Sequence, residues 1–177
     1  MAMKLLATNS GTNQTSMSFT SGIDSTYKLY MFKYFAVNAA TNATAFTFNG
    51  SIDGGSNYNV TKTTSYFWAT HTEDDANAAL EYSAGDDLAQ STNYQILADG
   101  LSNGADEDVA GTLWLFNPSS TTYQTHFIAR SQWHEYGGYC IDGHMGGYFN
   151  DADNIDAIQF KMASGNFDGT IKMYGVA

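Results

Sequence analysis

Cys140 and His144, separated by three residues, are the first side chains in this sequence that could together hold a metal ion. The other histidines, His71, His126 and His134, form no His-x-His or His-x-x-x-His pair. A zinc site needs more nitrogen or sulfur ligands than this, usually at tight spacing. We therefore expect no metal here, with Cys140 packed in a strand and His144 in a loop.

Asp151, Asp153 and Asp156 form a second candidate site, because calcium binds in acidic loops of this kind. The calcium loop of an EF-hand needs a glycine at its sixth position and a glutamate at its twelfth. Here Asp156 and Met162 occupy those positions. The sequence leaves open whether the 151–156 loop binds calcium or is a polar connection, and we predict no cofactor and no metal site.

Trp133, His134, Tyr136 and Tyr139 form an aromatic cluster interrupted by Gly137 and Gly138. Glycines within a strand pattern indicate a bend or a close approach of the backbone. Exposed rings could stack on sugar faces or anchor a contact between subunits, whereas buried rings would belong to the core. We favour core packing or a subunit contact over a sugar site.

Signatures of catalysis are missing from the sequence. It contains no Gly-x-Ser-x-Gly nucleophile motif and no glycine-rich phosphate loop between a strand and a helix. No pair of carboxylates stands out for sugar hydrolysis. We therefore predict that the protein is not an enzyme.

The charge balance limits the classes of partner. Seven Lys and Arg against 18 Asp and Glu give a net charge of −11. An acidic chain repels phosphate backbones and anionic lipid surfaces, so we expect no nucleic-acid partner and no membrane insertion. The single Cys140 allows no intrachain disulfide, and the apolar stretch near the first residues is too short for a signal peptide. The expectation is a soluble protein made in a cytoplasm.

A period-two pattern of aromatic residues then defines the elements that must position these side chains. Residues 27–37 alternate between an apolar face and an aromatic, partly polar face, as a strand requires. The apolar face carries Tyr27, Leu29, Met31, Phe35 and Val37, and the other face carries Lys28, Tyr30, Phe32 and Tyr34.

About ten strands are expected, at a spacing typical of an all-β sandwich. Residues 72–80 could form a helical turn or an acidic loop. The length predicts a single domain, with residues 1–16 as an N-terminal arm or first strand and residues 17–177 as the β-sandwich. The natural architecture is an antiparallel, jelly-roll-like sandwich. The expected strands are 4–7, 15–20, 27–37, 43–49, 58–71, 90–97, 112–116, 122–130, 155–162 and 167–176. Between them, residues 131–142 are broken by Gly137 and Gly138, and a further segment follows at 143–149.

Turn and strand segments over nearly the whole chain carry a family resemblance. They are 19–27 (FTSGIDSTY), 116–123 (FNPSSTTY), His126-Phe127 with Arg130, Gly147-Tyr148, 160–166 (FKMASGN) and 169–175 (GTIKMYG). Together they resemble a family of small structural proteins encoded by tailed bacteriophages, mostly marine ones. These segments are pieces of turns and strands and contain no catalytic motif. The resemblance therefore indicates the family and says little about the role of the protein.

The resemblance implies a virion component present in many copies and assembled in the host cytoplasm. Our first hypothesis is a head-decoration protein, a homotrimer bound to the major capsid protein. The alternative is a tail or fibre adhesin that binds host-surface glycan through residues 133–139 and the Asp-rich loops. A glycan-active hydrolase is a third hypothesis, which the sequence does little to support.

Overall fold

The fold is all-β, as the sequence predicts. A computed structural model describes residues 2–177, and no helix occurs among them. In that same range, no segment is a helix long and apolar enough to cross a membrane. The strands are β1 (Met3–Gln14), β2 (Met17–Phe19), β3 (Leu29–Ala39), β4 (Thr44–Ser51), β5 (Lys62–Thr72), β6 (Ala78–Tyr82), β7 (Gln95–Leu101), β8 (Val109–Phe116), β9 (His126–Glu135), β10 (Tyr139–Phe149), β11 (Ala157–Met162) and β12 (Phe167–Val176).

The strands form two antiparallel layers. The large sheet has the order β1-β12-β3-β8-β9-β10-β5-β6, and the small sheet has the order β2-β11-β4-β7. One ladder pair, Leu101 with Glu135, joins β7 to β9 and connects the layers along one side. The predicted antiparallel sandwich is therefore confirmed.

Eight of the strands have jelly-roll connectivity. β1 pairs with β12, β2 with β11, β3 with β8 and β4 with β7, so the first four strands pair with later strands in reverse order. These pairs also lie side by side within each layer: β12 pairs with β3 in the large sheet, and β11 pairs with β4 in the small sheet. This double-sheet arrangement confirms the jelly-roll-like prediction.

Four further strands extend only the large sheet. β5 and β6 are inserted between β4 and β7, and β9 and β10 between β8 and β11. They join the large sheet beyond β8 in the order β9-β10-β5-β6. Because the small sheet ends at β7, the inserted strands extend past it and leave part of their inner face uncovered.

Aromatic rings fill the space between the layers. Phe32 of the large sheet lies 5.7 Å from Phe160 of the small sheet, ring centre to ring centre. Phe48 and Phe127 make a similar contact across the layers at 5.3 Å. Such tilted and edge-on ring pairs combine a large buried apolar area with favourable ring electrostatics. Alternate residues of three strands of the small sheet are buried against these rings: Met17 and Phe19, Phe46 and Phe48, and Ile158, Phe160 and Met162.

The face assignment predicted for the long aromatic strand is wrong. Tyr30, Phe32 and Tyr34 point into the core, while Met31 points outward and Phe35 is 41% exposed. Burial is possible for the tyrosines because their hydroxyls have partners: Tyr34 OH lies 2.6 Å from the Ser131 hydroxyl oxygen, and Tyr30 OH hydrogen-bonds within the 24–30 segment.

Two predicted boundaries also differ from the structure. Residues 72–80 form neither a helical turn nor only a loop, because Ala78–Tyr82 is the edge strand β6. The predicted division between residues 131–142 and 143–149 does not occur, since β10 runs without a break from Tyr139 to Phe149. The turn predicted at Gly137-Gly138 is present, and residues 3–14 of the predicted arm or first strand form β1.

Candidate functional site

Trp133, a member of the predicted aromatic cluster, lies in the core and not at the surface of the protein. Its ring is fully buried, and its indole Nε1 donates a hydrogen bond of 2.7 Å to the carbonyl oxygen of Asp99 on β7. Tyr66 makes a parallel contact, with its hydroxyl 3.3 Å from the Leu97 carbonyl oxygen. These two side chains satisfy carbonyls on the edge of β7 that faces the inserted strands.

Tyr136 and Tyr139, by contrast, line an open cleft of about 480 Å³. The cleft lies where the inserted strands extend past β7, on the inner face of the large sheet. Trp68 contributes a third ring, and it contacts the edge of Trp133 at 6.5 Å between ring centres. Tyr136 is 56% exposed, whereas Trp68 and Tyr139 are half-buried.

Carboxylates supply much of the charge in this cleft. Glu81 comes from β6, Asp99 from β7 and Glu135 from the end of β9. Among the described residues that line the cleft there is no Lys or Arg. A cleft of this size, with aromatic walls and a few polar groups, has the composition of a small-ligand site.

A second recess of about 360 Å³ lies next to the cleft, beside Tyr139. Asn77 and Tyr139 line both spaces, so the two recesses are neighbours. Glu73 and Asp74 of the β5–β6 turn lie along the second part. We call the two spaces together the aromatic groove.

Sequence reasoning missed most of this groove. It identified Tyr136 and Tyr139 but not Trp68, Glu81 or Asp99. Trp68 carried a usable signal, because it alternates with Tyr66 in a segment predicted as strand, and two inward aromatic residues indicate a ring-lined inner face. The carboxylates carried none, because only the order of the inserted strands brings them together.

His134 lies on the outer face and connects two acidic segments. Its Nδ1 lies 3.1 Å from Glu107 Oε1, and its Nε2 lies 3.4 Å from Glu73 Oε1. The β5–β6 turn, with Glu73, Asp74 and Asp75, therefore lies beside the 102–108 loop between β7 and β8. That loop adds Asp106, Glu107 and Asp108. We call these six residues the acidic end of the molecule.

The two sequence-based metal candidates lie at separate places. Cys140 and His144 are four residues apart on β10, about 13 Å at the rise of a strand. His144 is in a strand, not the predicted loop, and stacks on Phe67 at 5.1 Å between ring centres. Within residues 2–177, no group of three or more His, Cys, Asp or Glu side chains is placed to hold a metal ion.

The acidic residues of the 151–156 loop take part in turns. Asp151 Oδ1 accepts a hydrogen bond of 3.0 Å from the Asp153 amide, and both Asp156 oxygens accept from the Gly54 amide at 3.0 Å. The neighbouring turn has its own acceptor, because hydrogen bonds from Asn57 and Ser51 lower the pKa of Asp53 to about 2. Asp156 therefore hydrogen-bonds to the 53–57 turn, whereas Asp151 hydrogen-bonds within its own loop.

The outer face of the large sheet carries a row of apolar side chains. The row crosses five neighbouring strands, each member paired in register with the next. Ile128 is 50% exposed and Leu5 is 49% exposed. The three residues between them in the row are half-buried. The row comprises Ile128, Trp114, Met31, Tyr174 and Leu5.

A basic row runs beside the apolar one. Arg130, Lys33 and Lys172 lie in one register line, with Thr112 between Arg130 and Lys33. The Arg130 guanidinium holds Asp142 through two hydrogen bonds of 2.9 and 2.7 Å, which lower the pKa of that carboxyl. Three of the seven basic residues of the chain therefore lie on this face, which we call the basic–apolar face.

Comparison with protein-family models and with curated proteins gave no relative. No protein-family model matches the chain, and no curated protein matches it. The resemblance to structural proteins of tailed phages therefore stays a prediction, and any function must be argued from the groove and the basic–apolar face.

Proposed function

We propose that this protein is a structural component of a bacteriophage virion, a head-decoration protein that binds the major capsid protein as a homotrimer. The observation that carries the proposal is the basic–apolar face. Monomeric proteins rarely leave a large contiguous apolar surface in water, and such surfaces mark interaction sites. The jelly-roll frame and the sequence resemblance also support a virion role, since jelly rolls are frequent in viral capsid proteins.

Charge complementarity favours a second copy of the same chain as the occupant of this face. Lys33 and Lys172 are basic in a protein of net charge −11, and the acidic end carries six carboxylates. The acidic end of one copy would therefore meet the basic–apolar face of the next. A contact between two different surfaces is heterologous, and it forms a closed ring when the rotation between copies returns to the first copy. The proposed homotrimer is the case in which that rotation is three-fold.

A trimer of this kind would stabilise a capsid by mass action. A ligand that binds only the mature shell shifts the equilibrium toward that shell without doing chemistry. Assembly would take place in the host cytoplasm, and the virion would be the final location. The proposal needs no enzymatic activity, no cofactor, no nucleic acid and no membrane insertion.

Immunogold electron microscopy of intact virions, with antibody against the whole chain, tests the proposal. We expect label over the head. Label confined to the tail would contradict head decoration and favour the adhesin hypothesis. Absence of the chain from purified virions, measured by immunoblot after denaturation, would contradict any virion role.

A second candidate function is that of a tail or fibre adhesin binding host-surface glycan. The observation that favours it is the aromatic groove, with Trp68, Tyr136 and Tyr139 beside three carboxylates. Saturable binding of the purified protein to host cells is the expected result, and binding that never saturates or that equals binding to non-host cells would contradict it.

A further inference from the structure

We infer that the aromatic groove binds an uncharged linear oligosaccharide of at least two sugar rings, an inference that rests on the adhesin candidate. The groove is built from the inserted strands and the outer end of β7. Its rings, its charge and its length each restrict the chemistry of the ligand.

The aromatic side chains point to a ligand with flat apolar faces and polar edges. Trp68 and Tyr139 are half-buried, so each ring is fixed by its neighbours and keeps part of its surface open to the groove. Tyr136 is the most exposed of the three. Tryptophan and tyrosine combine a large apolar surface with a polar tip, which suits a partner that is apolar on one side and wet on the other. A pyranose ring, with C–H groups on its faces and hydroxyls at its edge, has that form.

The carboxylates determine which sugars fit. Glu81, Asp99 and Glu135 can only accept hydrogen bonds when ionised, and sugar hydroxyls donate them. In a groove without Lys or Arg among its described lining residues, an anionic sugar would face like charges with no counter-ion. Uronates, sialates and sulfated sugars are therefore disfavoured, and neutral sugars fit.

The shape of the groove indicates a chain of sugars. The two recesses, of about 480 and 360 Å³, lie next to each other and share Asn77 and Tyr139 in their walls. The Asn77 side chain offers both a donor and an acceptor at the junction. Open, elongated grooves suit polymers, because the ligand can enter and leave at both ends.

The walls of the groove are fixed before any ligand arrives. The Tyr136 amide donates to the Gly100 carbonyl at 3.0 Å, and the Gly138 amide donates to the Glu135 carbonyl at 2.9 Å. On the opposite wall, the Thr72 amide donates to the Asn77 carbonyl at 2.9 Å. A pre-organised site loses less conformational entropy on binding than a flexible one.

Titration calorimetry of the full chain with hexasaccharides tests the inference. The probes are the β-1,4-linked hexamers of glucose, mannose, xylose and N-acetylglucosamine, with the hexamer of galacturonate as the charged comparison. We expect saturable binding of at least one neutral hexamer and none of the galacturonate. Tyr136→Ala should weaken that binding roughly tenfold or more, the loss of one ring contact. Tyr123→Ala is the matched control, because Tyr123 is 72% exposed on the 117–125 loop and outside the groove.

Several results would overturn the inference. They are no binding of any neutral hexamer at millimolar concentration, equal binding of galacturonate, or unchanged affinity in folded Tyr136→Ala and Tyr139→Ala variants. Salt-sensitive binding of hexalysine in place of sugar would show that the groove takes a cationic peptide. Failure of the adhesin candidate is recognised separately, as the absence of saturable binding of the wild type to host cells. If Tyr136→Ala binds host cells as well as the wild type does, the adhesin hypothesis survives and the groove is not its site.

Discussion

Lys62, at the start of β5, is a lysine buried without an acidic partner. Its side chain is fully buried, its ammonium donates to the Asn93 carbonyl, and its Nζ lies 5.9 Å from the centre of the Phe149 ring. Burial in this apolar surrounding lowers the pKa of Lys62 to about 7. The folded protein therefore holds the neutral amine more readily than the unfolded chain does.

This burial gives the stability of the protein an unusual pH dependence. Between pH 7 and the unfolded pKa near 10.5, the unfolded chain binds a proton at Lys62 that the folded protein does not. Stability should therefore rise with pH over this window, by up to roughly 5 kcal/mol in total. Above pH 10 the trend should turn, because burial raises the pKa of Tyr34 and Tyr66, which ionise first in the unfolded chain.

We expect Lys62→Met to remove that rise. The variant should be more stable than the wild type at pH 7, since no charge is buried, and its free energy of unfolding should change little between pH 7 and 9.5. Urea titrations at several pH values measure both effects. Lys161→Met is the control, because Lys161 lies over the Tyr94 ring at 4.1 Å and is only half-buried. A Lys62→Met variant with the wild-type slope would contradict the assignment.

At the scale of single elements, β3 depends on a bulge at Ala36. This alanine has φ 52°, in the left-handed region, and the pairing of β3 with β8 shifts between Tyr34 and Val37. The extra residue changes the alternation, so Val37 is buried although it stands three positions after the buried Tyr34. The bulge thus lets one long strand keep its apolar residues inside on both sides of the shift.

We expect Ala36→Gly to stabilise the protein. An L-residue in the left-handed region costs about 1 kcal/mol that glycine avoids. Ala69→Gly, at an exposed position in the middle of β5, should instead cost about 0.5–1 kcal/mol. Thermal unfolding of the two variants should move the midpoint in opposite directions, and a loss of stability in both would contradict the role given to the bulge.

The packing of Tyr66 and Trp133 in the core depends on a glycine in β10. A Cβ added at Gly143 would lie 2.7 Å from the Tyr66 hydroxyl and 2.8 Å from the Trp133 ring. We expect Gly143→Ala to destabilise the protein by about 1–3 kcal/mol, the usual cost of overpacking. Gly85→Ala is the control, since nothing lies within 4 Å of its added Cβ. Equal unfolding midpoints for the two variants would contradict the packing argument.

The strands were predictable where alternation and turn residues agreed. Residues 167–176 form β12 with the predicted bounds, and Trp114 lies in the predicted central strand. β6 was missed because Ala-Ala-Leu-Glu-Tyr has helical propensity, and only pairing with β5 makes it extended. The buried face of β3 was mistaken because tyrosine hydroxyls count as polar in a pattern, whereas here Ser131 satisfies one of them.

At the scale of the whole molecule, charge is distributed unevenly. Lys33, Lys172 and Arg130 share one face, while Glu73 and Glu107 mark the acidic end. The nested order of strands that separates these surfaces could not be read from the sequence, because several pairings of strands satisfy the same alternation. The class of fold and two groove residues, Tyr136 and Tyr139, were predictable from the sequence. The other groove residues come together only through the order of the strands.

We expect the wild-type protein to have three times its 19.2 kDa monomer mass at low salt, measured by light scattering after size exclusion. Lys33→Glu with Lys172→Glu should give monomers, because the basic–apolar face would then repel the acidic end. Adding Asp74→Lys and Asp75→Lys to that variant should restore the trimer. At about 1 M salt, where charges are screened within about 3 Å, the wild type should also dissociate in part.

Lys28→Glu is the control for this experiment. Lys28 lies outside the basic row, and its ammonium donates to the Asn117 side chain at 3.1 Å. Its variant should keep the wild-type mass. A monomeric wild type, or a Lys33→Glu, Lys172→Glu variant that stays trimeric, would contradict the heterologous contact.

The placement of the four inserted strands has a consequence for the evolution of proteins with this fold. β5, β6, β9 and β10 supply most of the groove, whereas the eight jelly-roll strands pair with one another in two groups of four. Changes in the 136–138 turn therefore alter recognition while the frame keeps its own pairings. A lineage carrying this fold can exchange one ligand for another by substitution or insertion at this turn, and still inherit the same assembly surface.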